Sequence, residues 1–186
     1  MNWTIPGTTL TIQRENAAGL RDQFHAMFLG GGITMSQVSS ITGLDGYMIQ
    51  NWVKRGFLTK PQQKRYDLNQ LCRITTINML KGILQMDRIC SLLGYVNGKL
   101  DDADDDIIDD AELYFLFLEL AAQARDLDSG DQWQQAIAST LKNYQEPIPG
   151  AKERVKSVLR IMLTAWIASR MAQEAERMMD ALQKEG

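Results

Sequence analysis

The chain is poor in the residues that build cross-links, metal sites and catalytic bases. Its 186 residues include two cysteines, four prolines and one histidine. One histidine and two separated cysteines provide no recognisable zinc site. His25 lies on a helical pattern with no nucleophile beside it, which argues against a general base. We therefore expect no catalysis, no metal and no cofactor.

The sequence also lacks the segments that carry a chain to or through a membrane. No basic stretch precedes an apolar run near the first residue, so no secretion signal is expected. The most apolar segment, residues 161–169, lies between Arg160 and Arg170 and is too short to span a bilayer. Cys72 and Cys90 fall on apolar helical patterns, as reduced buried thiols do. These features predict a soluble, cytoplasmic protein without membrane contact.

Charge is unevenly distributed along the chain. The overall net charge is -3, yet residues 33–99 hold nine basic and three acidic residues, a net of +6. Residues 100–131 hold twelve acidic residues and Arg125 alone, a net of -11. Because a phosphate-binding surface needs only local positive charge, the acidic balance does not exclude nucleic-acid binding.

The pattern of apolar residues predicts an all-α fold with a minimal β wing. Helices are expected over residues 14–29, 34–43, 45–56, 67–81, 87–94, 111–125, 131–145 and 151–184. We divide the chain into an N-terminal segment (1–32), a winged helix-turn-helix (33–96), an acidic linker (97–110) and a C-terminal helical bundle (111–186).

Local signals in residues 33–67 are the most informative. Thr34 can cap the first of two short helices, Gly43 ends it in a left-handed turn, and Asp45 caps the second. Two short extended pieces, Phe57-Leu58 and Arg65-Tyr66, are expected to flank a loop, and Asp67 then caps the next helix.

The second helix has two chemically different faces. Ile49, Trp52 and Val53 share the side expected to meet the core. The opposite side carries Tyr47, Gln50, Asn51 and Lys54. Asn and Gln can pair with adenine, and Lys can reach guanine or phosphate, so this strip suits the major groove. By itself, the strip would be interpreted as a solvated helix face.

The loop that follows strengthens the DNA interpretation. Lys60, Lys64 and Arg65 project charge from a hairpin stiffened by Pro61, and such a loop can lie along phosphates. Tyr66 suits phosphate contact and core packing equally well. The predicted DNA-binding residues are Tyr47, Gln50, Asn51, Lys54, Arg55, Lys60, Lys64, Arg65 and Tyr66.

A set of residues follows in order along the chain: Gly43, Trp52-x-x-x-Gly56-Phe57-Leu58, Pro61, Arg65-Tyr66-Asp67 and Leu71. This order resembles that of the DNA-binding domain of MerR-type transcriptional regulators. The residues around Asn51-Trp52 and Lys64-Arg65-Tyr66 resemble more closely a bacterial family of unknown function built on the same fold. The resemblance covers residues 33–95. It implies a winged helix-turn-helix, contact of double-stranded DNA by Lys54, Arg65 and Tyr66, and dimerisation through a long helix.

The chain also departs from the MerR pattern. Gln50-Asn51 stands where MerR-type proteins usually carry Arg-Tyr, so those contacts cannot be transferred. The C-terminal part lacks the cysteines of the metal-sensing members.

Two segments outside this motif leave alternatives open. The acidic run at residues 101–110 has no central glycine, so a solvated linker is favoured over a calcium loop; a fold-back onto the basic face is the weaker idea. The last helix carries Trp166 and a methionine stripe. It suits a bundle, within one chain or in a homodimer, better than an extended coiled coil.

The sequence thus predicts a homodimeric, DNA-binding transcriptional regulator. The alternative is a protein-interaction adaptor that keeps the winged-helix fold without binding DNA. An apolar small-molecule ligand of the C-terminal bundle is compatible with both.

Overall fold

A computed structural model describes residues 2–100, 106–124 and 130–185. Over these residues the chain is mostly helical, with eight α-helices and two small two-stranded sheets, which confirms the all-α prediction with minimal β structure. The elements are β1 (Asn2–Thr4), β2 (Thr11–Gln13), α1 (Leu20–Met27), β3 (Ile33–Thr34), α2 (Met35–Thr42), α3 (Gly46–Lys54), β4 (Arg65–Tyr66), α4 (Leu68–Leu80), α5 (Met86–Asn97), α6 (Asp110–Gln123), α7 (Gly130–Thr140) and α8 (Ala151–Glu185).

The N-terminal segment begins with a hairpin. Strands β1 and β2 pair antiparallel, with Trp3 opposite Ile12. A 3-10 turn, Arg14–Gly19, leads into α1, so the single helix predicted over residues 14–29 is divided in two. Phe24 of α1 packs edge-on against Phe115 of α6, with ring centroids 5.8 Å apart. The segment is therefore part of the folded body.

The predicted caps around α2 and α3 are confirmed. Thr34 and Gln37 form a reciprocal capping box, which satisfies amide groups at the start of α2. Gly43 has φ +71°, a left-handed conformation that glycine adopts without strain. The Asp45 carboxylate accepts a hydrogen bond from the Tyr47 amide at 2.8 Å. Short-range signals alone thus fix both helices and the turn between them.

The predicted pairing of Phe57-Leu58 with Arg65-Tyr66 is wrong. Strand β4 instead pairs with β3, with Tyr66 opposite Ile33. The Phe57 amide donates to the Trp52 carbonyl at 2.9 Å, which closes a turn after α3, and Leu58 is buried in the core. Because residues 57–58 are committed to that turn and to the core, the strand partner of β4 comes from the segment before α2.

Helix α4 lies at the centre of the molecule. Ten of its thirteen residues are buried, including the polar residues Gln70, Arg73, Thr75 and Thr76. It packs against α2, α5, α6 and α8. A helix surrounded on every side carries apolar residues around its whole circumference, which explains the weak amphipathic pattern of this segment.

The second half of the acidic run is folded, which corrects the prediction of a solvated linker there. Ile107 and Ile108 are buried, and the Ile107 amide donates to the Val96 carbonyl at 2.9 Å. The Asp109 carboxylate caps α6. The apolar pair explains why these residues are folded, because its burial brings the adjacent aspartates against the rest of the protein. Residues 101–105 lie outside the described part of the chain.

An ion pair fixes the start of α6. The Arg73 guanidinium lies 3.3 Å from both carboxylate oxygens of Asp110, and the two side chains are 7% and 15% exposed. The Nε of Arg73 also donates to the Phe57 carbonyl at 2.9 Å. Burial raises the pKa of the Asp110 carboxyl, and the Arg73 charge partly opposes that shift. Arg73 is therefore an internal residue, although it belongs to the basic block.

The predicted helix-turn-helix and C-terminal parts share one hydrophobic core. Helix α5 continues past Gly94 to Asn97, α6, α7 and α8 pack on one another, and α6 and α8 also pack on α4. Cys72 and Cys90 are free thiols, the first buried and the second half-buried. Within the described residues, no helix combines the length and apolarity needed to cross a membrane.

Helix α8 has a buried half and an exposed half. Residues of its first half, such as Val158, Met162 and Trp166, belong to the core. Every residue from 171 to 183 is exposed. Met171, Met178, Met179 and Leu182 are the large apolar side chains of that exposed half.

We predict that breaking the Arg73–Asp110 pair destabilises the fold strongly. Arg73→Met and Asp110→Leu should each lower the free energy of unfolding by about 3–5 kcal/mol, because each leaves one buried charge unpaired. The double variant should be more stable than either single variant, since it buries no lone charge. Urea unfolding followed by far-UV circular dichroism measures all four proteins. Additive losses in the double variant would contradict a coupled pair.

Candidate nucleic-acid interface

Helix α3 separates its polar and apolar residues as the sequence predicted. Ile49 and Trp52 are buried against the core. Tyr47, Gln50, Asn51 and Lys54 are exposed, Tyr47 to 79%. A phenol, two amides and an ammonium group thus stand on one short helix, with the backbone held by the Asp45 cap. This set of donors and acceptors is chemically competent to contact base edges.

Arg55 follows α3 and is held by an aromatic neighbour. Its guanidinium lies 4.6 Å from the centroid of the Phe57 ring, a cation–π contact. The side chain remains exposed. The ring limits the freedom of the guanidinium and leaves its charge open to an anion.

The residues 59–64, termed here the basic loop, are anchored at their start by Gln70. The Gln70 amide donates to Thr59 Oγ1 at 2.9 Å and lies 3.1 Å from the carbonyls of Thr59 and Lys60. Gln70 also forms the capping box of α4 with Asp67. One buried side chain thus fixes both the loop and the helix that follows it.

The far end of the basic loop turns sharply. Gln63 and Lys64 have φ +47° and +62°, which places two non-glycine residues in the left-handed region. The Arg65 amide donates to the Gln62 carbonyl at 2.8 Å. Lys60 and Lys64 are both exposed. The basic loop therefore presents two ammonium groups, one from Lys60 near its start and one from Lys64 in the turn.

Arg65 and Tyr66 both make contacts within the protein. Arg65 is exposed, and its Nη1 donates to the Gly32 carbonyl at 2.9 Å, so part of its guanidinium stabilises the β3–β4 junction. Tyr66 is only 2% exposed and packs in the core, where burial raises the pKa of its phenol. Of the two roles expected for Tyr66, core packing is observed, and we remove it from the DNA-binding set. The remaining eight predicted residues are exposed.

The predicted residues form two groups. Tyr47, Gln50, Asn51 and Lys54 share α3, while Lys60, Lys64 and Arg65 follow the chain from the basic loop into β4. Among the described residues, no side-chain hydrogen bond or ion pair links the two groups. Their connection runs through the scaffold, because β4 pairs with β3, β3 leads directly into α2, and α2 packs on α3.

Carboxylates flank the base of the basic loop. Asp67, Asp106, Asp109 and Asp110 line a small cleft of about 130 Å³ together with Leu58 and Thr59. Arg73 compensates Asp110 there. The carboxylates of residues 106–110 therefore meet the base of the loop and the buried Arg73, whereas Lys60, Lys64 and Arg65 of the basic face do not line this cleft. An anionic duplex is repelled on this side, which limits an interface to α3 and the tip of the loop.

Gln70 and Arg73 are the site residues that sequence reasoning missed. The signal for Gln70 was local, since it stands three residues after the Asp67 cap. Arg73 gave no comparable local signal, because its partners Phe57 and Asp110 are distant in sequence.

Comparison with family models gives a match over residues 32–117 to a domain of unknown function, DUF1836. The matched residues run from the start of β3 through the basic loop, α4 and α5, and end within α6. They include Arg73 and Asp110. The matched part therefore extends beyond residue 96, the predicted end of the winged helix-turn-helix. Comparison with curated proteins and with solved structures found no match.

Proposed function

We propose that this protein binds double-stranded DNA and regulates transcription. Helix α3 enters the major groove with Gln50, Asn51 and Lys54, and Lys60, Lys64 and Arg65 hold phosphates beside it. The observation that carries the proposal is the α3 surface, where amide, phenol and ammonium groups are exposed on a helix whose other side is fixed in the core. A rigid helix with such a face suits base readout, since its side chains need no backbone rearrangement.

The electrostatics of the surface agree with this arrangement. The cations of α3 and the basic loop are exposed, whereas Arg73, which belongs to the same basic block, is neutralised inside the protein. Five of the eight other cations of this block lie on or beside the surface elements that would meet DNA, whereas Lys81, Arg88 and Lys99 lie elsewhere. The Gln50-Asn51 pair offers bidentate hydrogen bonds to adenine.

We predict that the basic loop contributes phosphate contacts. The variant Lys60→Gln, Lys64→Gln should bind duplex DNA more weakly, and the slope of log K against log salt should fall by about 1.8, since each phosphate contact contributes about 0.9. Fluorescence anisotropy of a labelled duplex at several salt concentrations measures both. The control Lys142→Gln, Lys152→Gln removes equal charge from the C-terminal part. An unchanged slope in the loop variant, or an equal change in the control, would reject the assignment.

The role of α3 is tested by sequence preference. Selection from a random duplex pool should enrich a motif with the natural protein. Gln50→Ala, Asn51→Ala should bind the pool with a similar salt slope but enrich the motif at least tenfold less, because it loses base contacts and retains the phosphate contacts. Gln134→Ala, Gln135→Ala, exposed on α7, is the matched control. Undiminished enrichment by the α3 variant would assign recognition to another surface.

We further propose that two copies associate through the exposed half of α8. Residues 171–183 extend over about 20 Å at 1.5 Å per residue. Met171, Ala175, Met178 and Leu182 follow steps of four, three and four residues, which places them on one stripe. Such a stripe is self-complementary, and a twofold dimer would offer two recognition helices to one duplex.

The dimer prediction uses exposed positions only. Met171→Glu, Met178→Glu should convert a dimer into a monomer in light scattering coupled to gel filtration, with unchanged circular dichroism. The control Gln173→Glu, Gln183→Glu adds equal charge away from the stripe, at about 200° and 120° around the helix axis from Met171, and should remain dimeric. A monomeric natural protein at high concentration, or a dimer that survives the methionine substitutions, would contradict this interface.

A protein-interaction adaptor is the second candidate. The 79% exposure of the Tyr47 ring and the carboxylates beside the basic loop favour it, because aromatic residues are enriched at protein interfaces and acidic residues oppose DNA. The anisotropy titration distinguishes the two candidates. Absence of duplex binding even at low salt would favour the adaptor.

A further inference from the structure

A large cleft lies between the N-terminal hairpin and α8. Its walls are the hairpin residues 2–8, the C-terminal end of α4, and the face of α8 that carries Trp166, Ser169 and Gln173. The cleft encloses about 800 Å³. This volume falls within the range of about 300–1,000 Å³ typical of small-molecule sites.

The charges that line this cleft have one sign. Arg14, Lys81, Arg170 and Arg177 contribute to its walls, and no Asp or Glu of the described residues does. Glu174, which does not line the cleft, pairs with Arg177 at 2.7 Å on the surface of α8. Four cations drawn from three separate parts of the fold create a strongly positive cleft, which concentrates small anions.

Aromatic rings hold two of the guanidinium groups in place. Arg14 lies 5.8 Å from the Trp3 ring centroid, and Arg170 lies 5.0 Å from that of Trp166. The Arg14 Nη1 also donates to the Ala122 carbonyl at 3.0 Å. Guanidinium groups restrained in this way lose little freedom when they bind a multivalent anion, and their donors match phosphate and carboxylate geometry.

Trp3 supplies an independent sign of an incomplete site. It lines the cleft and is 4% exposed, and its buried indole N–H meets no acceptor among the described residues. Buried polar groups are nearly always satisfied in native proteins. The buried phenol of Tyr114, by comparison, donates to the Pro6 carbonyl at 2.7 Å. A ligand acceptor, or an ordered water carried with it, would satisfy the indole once the side chains that cover the N–H move aside.

We propose that this cleft binds a small multivalent anion bearing phosphate or carboxylate groups. Its charged groups meet Lys81, Arg170 and Arg177, and the remainder of the molecule lies against the hairpin. The sequence is compatible with an apolar ligand of the C-terminal bundle, whereas the charges of this cleft indicate an anionic ligand.

The position of the cleft gives the ligand a route to the DNA-binding surface. Thr9, in the hairpin, donates its amide to the Ile41 carbonyl at 2.8 Å and its hydroxyl to the Ser40 carbonyl at 2.7 Å. The Asn78 amide lies 2.9 Å from the carbonyls of both Gly7 and Thr42. The hairpin thus holds the end of α2, directly before the turn to α3. Regulation of DNA binding by the anion rests on the proposed function, whereas anion binding itself does not.

Calorimetry with the full chain tests the site. Inorganic pyrophosphate and citrate serve as separate probes of phosphate and carboxylate chemistry, at low salt. One anion should bind per chain, and Lys81→Gln, Arg170→Gln should weaken binding at least tenfold. The control Lys142→Gln, Arg160→Gln removes one lysine and one arginine charge at exposed positions outside the cleft and should bind as the natural protein does. Unchanged circular dichroism establishes that the variants are folded.

The outcomes separate the ligand site from the proposed function. Binding of either probe that is lost only in the cleft variant supports the site, and the tighter probe identifies the chemistry. Binding of neither probe, or equal loss in both variants, overturns it. If the anion binds but duplex DNA does not, the site stands and the DNA proposal fails. If the anion and duplex DNA both bind, the anion should change the affinity of the natural protein for DNA. It should leave the DNA affinity of the cleft variant unchanged.

Discussion

The buried guanidinium of Arg73 is the constraint on which the arrangement of the molecule depends. It joins the carbonyl of Phe57, just after α3, to the carboxylate of Asp110, at the first residue of α6. A buried arginine must find partners for its charge and its N–H groups, so these two distant segments have to meet at α4. The candidate recognition helix is thereby tied to the C-terminal bundle by one side chain.

Other polar residues of α4 also donate hydrogen bonds to backbone carbonyls of distant segments. Gln70 binds carbonyls of the basic loop, and Asn78 binds carbonyls of the hairpin and of the end of α2. Each side chain satisfies backbone acceptors in a loop, in a hairpin turn or at a helix end, where regular structure leaves carbonyls without partners. The central helix therefore positions the basic loop, the turn before α3 and the hairpin beside the cleft.

The parts of the fold that sequence predicted were those determined locally. The caps at Thr34, Asp45 and Asp67, and the left-handed Gly43, depend on residues within one turn of each other. The pairing of β4 with β3 depends on segments more than thirty residues apart, and the nearer partner was chosen wrongly. In the acidic run, Ile107-Ile108 was visible as an interruption, but its burial followed from Val96 and Asn97, which no local pattern connects to it. The exposed face of α3 was predictable, whereas the cleft joins three parts of the chain and was not.

Helix α8 brings the two remaining proposals together. Trp166, Arg170, Gln173 and Arg177 face the cleft, and Met171, Ala175, Met178 and Leu182 form the exposed stripe. At 3.6 residues per turn, positions 170 and 171, like 177 and 178, are separated by about 100° around the helix axis. An anion and a second copy can therefore occupy adjacent faces of one helix without excluding each other. Because the helix continues without interruption into the core beside α4 and α5, a tilt that closes the cleft would also move the stripe, and with it the spacing of the two α3 helices in the proposed dimer.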